Sequence, residues 1–242
     1  MPALLLIAHG SRDPRHAATV AALVEEVRAQ RPGTEVATAY LDHCAPRIPQ
    51  VVGRLADAVA VPLLLNRAFH AKHDIPAALR AAGSRLPVAD VLGPSPLLLA
   101  ALDRRLAEAG LAVGSPAARA RTGVVLAAAG SSDPAADAAT RAVAAEWRRT
   151  RGWAAVEVAY ASATGPRVPD ALAALRTAGA AHTAVAPYLL APGLLPDRIA
   201  AAAEDADLVA DVLGPSPELA TLLLHRYDQA RHAADTTPAL TA

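Results

Sequence analysis

Cysteine is nearly absent: the 242-residue chain has only Cys44. That excludes an internal disulfide and any metal site built from several thiolates, and it suits a reducing cytoplasm. Aromatic residues make up only 3%, so the core has to be aliphatic, filled by Ala, Val and Leu. Neither sign of charge is in excess, with Lys and Arg totalling 23 and Asp and Glu also 23. No overall field therefore favours nucleic acid or an anionic membrane. No run reaches the roughly 18 uncharged apolar residues of a membrane span. The apolar start, Leu4 to Ile7, has no basic region before it and is soon interrupted by His9, Arg12 and Asp13, which does not fit a signal peptide. A G-x-S-x-G elbow and a Walker loop are missing too. Hydrophobic residues, by contrast, reach 53%, which excludes a disordered chain.

The chain repeats itself. His9-Gly10-Ser11-Arg12-Asp13-Pro14 aligns with Ala129-Gly130-Ser131-Ser132-Asp133-Pro134, an offset of 129 − 9 = 120. Ala39-Tyr40 and Pro46-Arg47-Ile48-Pro49 recur at the same offset as Ala159-Tyr160 and Pro166-Arg167-Val168-Pro169. Asp90-Val91-Leu92-Gly93-Pro94-Ser95-Pro96 returns unchanged as Asp211 to Pro217. We therefore expect two domains, 1–112 and 122–235, joined by a Gly/Ala/Arg-rich linker.

Each copy alternates short apolar runs with helical spacing. In the first, strands are expected at 3–8, 36–41, 59–65 and 88–92, and helices at 14–30, 47–57, 75–82 and from 96 onward. Asp13-Pro14 is a helix cap followed by a first-turn proline. Such alternation implies a parallel sheet with right-handed crossovers. The expected fold is α/β: two tandem doubly wound parallel-sheet domains with a cleft between them. Ligands in such sheets bind beyond the carboxyl ends of the strands, where His9, Asp42 and the segment from Asn66 to His70 fall.

The two copies act as an internal control. Shared features, such as Gly10/Gly130 and Asp13/Asp133, read as turn and cap chemistry. The differences are more pointed. His9 becomes Ala129, Arg12 becomes Ser132, Asp42 becomes Ser162, His43 becomes Ala163 and His70 aligns with Leu195. The fold evidently does without these polar groups in the second copy. Imidazole is the commonest metal ligand and titrates near neutrality. Two His with a nearby carboxylate can hold a divalent metal and leave positions open. His9, Asp42, His43, His70 and His73 therefore read as a site in the first copy, with His43 and His73 the weaker members. His16, His182, His225 and His232 lie in expected helices or at a strand start and read as incidental. Cys44 is a poor nucleophile candidate, because its sequence neighbour His43 does not face it on a strand exit. The Gly-Ser step at Ser11, before a helix N-terminus, is a weak anion-binding signal.

His-Gly-Ser-Arg-Asp-Pro after an apolar first strand resembles the opening motif of the small class II chelatases, the sirohydrochlorin chelatase family of CbiX and SirB type. The second family motif is similar to Pro62-Leu63-Leu64-Leu65 followed by His70-Ala71-Lys72-His73-Asp74-Ile75-Pro76. Ala39-Tyr40-Leu41-Asp42 resembles the middle motif, which often carries Glu at the position of Asp42. The resemblance covers both copies. It departs at Ala68-Phe69, where the family usually has Gly before the second His. It implies that His9 and His70 are the catalytic and metal-binding pair, with Ser11, Arg12, Asp42, Arg67 and Lys72 toward the substrate. The implied reaction is insertion of a divalent metal, Fe2+ by preference, into sirohydrochlorin on the way to sirohaem. The alternatives are a Co2+ chelatase serving cobalamin synthesis and a non-catalytic metal- or tetrapyrrole-binding protein. The metal is a substrate, so no permanently bound cofactor is implied. The expected partners are sirohydrochlorin and the metal ion, with no nucleic acid and no membrane. The expected protein is cytoplasmic, a monomer or weak homodimer.

Overall fold

The computed structural model describes residues 1–55, 57–66, 73–162 and 165–236. The first repeat opens with β1 (Ala3–Ala8), α1 (Pro14–Gln30), β2 (Val36–Tyr40), α2 (Ile48–Val52), β3 (Ala58–Pro62), α3 (Ile75–Ala81) and α4 (Pro96–Glu108). A short α5 (Pro116–Arg119) leads into β4 (Thr122–Ala128), α6 (Pro134–Arg151), β5 (Ala155–Tyr160), α7 (Val168–Thr177), β6 (His182–Pro187), α8 (Leu194–Ala201), β7 (Leu208–Val209) and α9 (Pro217–Thr236). The strands form two sheets, ordered β2-β1-β3 and β5-β4-β6-β7, and every pairing is parallel. This is the α/β architecture expected of each repeat.

Local chemistry sets the element ends. Asp13 accepts a hydrogen bond from Arg15 N–H at 2.9 Å, with Pro14 at the first helical position. Asp133 and Pro134 do the same for α6. Val20, Leu23, Val24 and Val27 are the buried stripe of α1, spaced at helical period. β1 is buried at all six residues, because a central parallel strand is covered on both faces. Each of its Leu and Ile side chains contributes about 1.5–3 kcal/mol on burial. Ala3, Leu5 and Ile7 pack with Ile48, Val52, Ile75 and Leu79 on one side of the first sheet.

Three expected elements are clearly shorter than the sequence pattern suggests: the strand expected over 59–65 is β3, which ends at Pro62, and the other two have local causes. The helix expected over 47–57 stops at Val52, because Gly53 follows and the chain turns, with Arg54 N–H donating to the Val51 carbonyl. In the second repeat Ala173 replaces Gly53, and α7 runs its full ten residues. The strand expected over 88–92 is only a bridge between Ala60 and Val88. Beyond it, the Leu92 and Gly93 N–H groups turn to the Leu64 and Leu65 carbonyls past the end of β3.

The compact units are not the repeats. One comprises Met1–Ser95 with Pro215–Ala242, the other Pro96–Gly214. The expected division at 112/122 follows the duplication, whereas the folded units exchange terminal helices. In the first unit α9 packs on α1 and β3. Arg31 pairs with both Asp228 oxygens at 2.7 Å, and Tyr227, fully buried, donates to the Pro2 carbonyl at 2.6 Å. Arg226 binds the Val91 and Leu92 carbonyls. In the second unit α4 packs on β6. Asp103 accepts from Trp147 Nε1–H at 2.9 Å and lies 3.1 Å from Arg151, while Arg105 binds the Leu213 carbonyl. Arg105 and Arg226 occupy matching positions (226 − 105 = 121), so each repeat's last helix grips the other repeat's Asp-Val-Leu-Gly-Pro turn.

Candidate metal centre

β1 and β2 are neighbours with Ala8 opposite Tyr40, and their pairing continues into the loops. Leu41 N–H donates to the Ala8 carbonyl at 2.9 Å and Asp42 N–H to the His9 carbonyl at 2.8 Å. Gly10 has φ +92, and a Cβ there would overlap the Asp42 carbonyl oxygen. Only glycine permits both the backbone angle and the close approach. Gly130 and Ser162 reproduce this arrangement in the second repeat. The loop pair is thus common scaffolding, and the side chains on it differ.

His9 is half-buried and its Nδ1 lies 3.1 Å from the Gly10 carbonyl oxygen. A carbonyl only accepts, so Nδ1 is the donor in this contact, a geometry that in a neutral imidazole leaves the lone pair on Nε2. A neighbouring backbone carbonyl fixes metal-bound imidazoles in the same way. The His43 ring centroid is 6.3 Å from that of His9, tilted by 44°.

Asp42 is exposed. Its Oδ1 accepts from His43 N–H at 2.8 Å and from Arg47 Nη2 at 2.9 Å. These two bonds, the backbone one first, hold its carboxyl below the usual carboxylate value. Its Oδ2 lies 3.5 Å from His43 Nε2. Ser162, the counterpart, instead donates its hydroxyl proton to the Ala129 carbonyl at 2.6 Å.

Ser11 Oγ accepts from Asp13 N–H at 3.1 Å, as Ser131 does from Asp133 at 3.0 Å. Its hydroxyl oxygen serves the turn in both repeats. Cys44 is knitted to the Ser11 backbone, donating to its carbonyl at 3.0 Å. Arg12 is exposed and makes no hydrogen bond or ion pair among the described residues. His73 is exposed just before α3. Asp74, at the start of that helix, has helical backbone angles and its side chain makes no capping bond. His70, Arg67 and Lys72 lie outside the described residues.

His16 reads as incidental from its place in a helix, yet the fold brings it into the electrostatic range of His9. Burial, reinforced by the His9 ring, pushes its imidazole below the usual value. Its Nδ1 is buried without a hydrogen-bond partner and its ring lies 6.3 Å from that of Tyr40. Its counterpart is Ala136. Comparison of the repeats carried that signal for His16 as clearly as for His9.

Comparison with known proteins decides the family. The chain matches CbiX twice, over residues 3–109 and 123–230. It belongs to the CbiX family. Among curated CbiX-like relatives, the sirohydrochlorin ferrochelatase of Priestia megaterium is 28% identical, covering 93% of this chain and 89% of that protein. The sirohydrochlorin cobaltochelatase of the same organism is 26% identical over 95% of this chain and 80% of its own. SirB from Bacillus subtilis, solved with Fe3+, superposes with a TM-score of 0.79 at 23% identity, covering 97% of both chains. The two-domain parallel α/β fold of this CbiX-family chain is therefore shared along nearly its whole length.

Proposed function

We propose that this protein is an enzyme that inserts Fe2+ into sirohydrochlorin. The reading is supported by family membership and by relatives named for this reaction. The observation that carries it is His9, held beside the Asp42 loop by the Asp42 N–H bond to its carbonyl, in the repeat that kept its imidazoles. Metal entry replaces two pyrrole N–H protons, so one ion enters the macrocycle and two protons leave. A neutral imidazole accepts a proton near its own pKa, which suits general-base work. The same nitrogen holds a divalent ion loosely when few protein ligands share it. His9 and His70 form the pair that presents the metal and receives protons. Arg12, without a partner among the described residues, meets peripheral carboxylates of the macrocycle, with Arg67 and Lys72, and Arg does so bidentately. Ser11 and Asp42 border the same substrate.

The protein works in the cytoplasm as a monomer or weak homodimer; among the described residues no helix is long and apolar enough to cross a membrane. A Co2+ preference is the second reading, favoured by the cobaltochelatase relative. Anaerobic absorbance assays of sirohydrochlorin with each metal test both. The expected result is a higher kcat/KM with Fe2+ and a loss of roughly 100-fold or more in His9→Ala and His70→Ala. Near wild-type turnover in either variant would refute the pair, and a Co2+ preference would reassign the metal.

A further inference from the structure

The geometry points to the groove between α6 and the outer edge of β5 as a docking site for an extended peptide segment that carries an acidic side chain. Among the described residues β5 is an edge strand, with β4 as its sheet neighbour. At its end, Ala161 N–H donates to the Ala128 carbonyl of β4, whereas Tyr160 N–H turns the other way, to the Pro166 carbonyl. Successive residues of a strand direct their N–H and C=O groups to opposite sides. Val156 and Val158, in phase with Tyr160, therefore aim theirs away from β4. A cavity of about 610 Å3 opens along this edge, bounded on α6 by Arg141, Ala145 and Arg148 and on the strand side by Trp153, Val156 and Val158.

The first repeat shows which partner is missing. Arg28 stands where Arg148 stands in the second (148 − 120 = 28). Arg28 donates to the Glu25 carboxylate at 2.5 Å and to the Val36 carbonyl at 3.1 Å, so α1 closes over the edge of β2 with its own ion pair. In the second repeat Ala145 replaces Glu25. Arg148 is exposed and makes no hydrogen bond or ion pair among the described residues. Its neighbours Arg141 and Arg149 are occupied by Asp137 and Glu146. Glu157 borders the same cavity, but Ala155 and Ala159 on either side of it pack in the core with Leu172 and Leu175 of α7. By strand period the Glu157 side chain belongs to that face of the sheet, opposite α6.

An added strand answers both features. Its backbone pairs with Val156 and Val158, and the main-chain bonds supply the affinity. A Glu or Asp side chain on its α6 side reaches Arg148 as Glu25 reaches Arg28. The unpaired guanidinium repels a basic strand and so selects an acidic one. Because Tyr160 is already held by Pro166, the open edge takes a segment of only about four or five residues.

The test uses the full-length protein and two blocked pentapeptides, acetyl-Thr-Val-Glu-Val-Thr-amide and the same peptide with Lys in place of Glu. Binding is followed by tryptophan fluorescence, to which Trp153 at the groove contributes, and by residue-resolved amide exchange. The Glu peptide should bind about 10-fold or more tightly than the Lys peptide and should protect the Val156 and Val158 amides. Arg148→Glu should reverse the order of the two peptides, because the groove then presents the opposite charge. Arg28→Gln, in the closed counterpart, should leave peptide binding unchanged. No binding of the Glu peptide at about 5 mM, equal binding of the two, or a preference that survives Arg148→Glu overturns the site. If the free protein is already a dimer with Val156 and Val158 protected before peptide is added, the occupant is a second copy of the chain and the peptide assignment falls.

Discussion

At the residue scale, Gly10 is scaffold that both repeats keep, whereas His9 is a side chain on that scaffold that the second repeat replaces with Ala129. A Cβ at Gly10 meets the Asp42 carbonyl, whereas one at Gly33, also at positive φ, meets nothing within 4 Å. Gly33→Ala should therefore cost only the backbone term, about 1–2 kcal/mol. Gly10→Ala should cost more than about 3 kcal/mol, because a loop held by the His9, Asp42 and Cys44 hydrogen bonds has to move as well. Chemical denaturation of the two variants measures the difference, and equal costs would mean that the loop yields easily. His9→Ala should leave stability nearly unchanged, since Ala129 fills the same place in the second repeat.

At the element scale, the exchanged helices are held by buried and half-buried carboxylates. Asp103 on α4 accepts from Trp147, whose ring packs edge-on against Trp153 at 5.9 Å. Asp103→Leu strands the indole N–H and leaves Arg151 without its partner, which should cost about 3 kcal/mol or more. Asp103→Asn, which keeps an acceptor for Trp147, should cost less in the same thermal melts. Asp228 on α9 is held below its ordinary value of 3.8, chiefly by the Arg31 hydrogen bonds. A depressed carboxyl contributes stability that is complete above that ordinary value and lost as pH falls through the lowered one. Acidification below about pH 4 should therefore loosen α9 in wild type, read as faster amide exchange in α1 and α9. Asp228→Asn should show that loosening already at neutral pH and little further change.

At the scale of the whole molecule, helix exchange makes the termini interdependent. Removing residues 215–242 takes α9 from the unit that carries His9. We expect hydrogen exchange to show lost protection in β1, β2 and β3 while β4, β5 and β6 stay protected. The segment 96–214 is a continuous compact unit and should unfold cooperatively on its own. The segment 1–112, the duplicated unit of sequence, keeps α4 but lacks α9 and should not fold as a stable monomer. A cooperatively folding, monomeric 1–112 would show that α9 is dispensable.

Much of this was legible in one dimension. β1 and α1 lie at 3–8 and 14–30 as their apolar run, cap and helical spacing require, because those signals depend only on near neighbours. The duplication exposed His9 and Asp42 by comparing positions that share a backbone role. The loss of the 88–92 strand and the shortening of the second helix depend on longer-range pairing and on one glycine, and pattern alone did not reveal them. Which sheet a helix covers is likewise silent in sequence: the apolar stripes of α4 and α9 fit either one, since hydrophobic burial is not directional. Only tertiary structure chose the exchange, through Arg31, Arg226 and Asp103. It also decided where His43 and His16 stand, because the turn that points His43 at Asp42 and the burial that leaves His16 Nδ1 unpartnered exist only once β1 and β2 lie side by side.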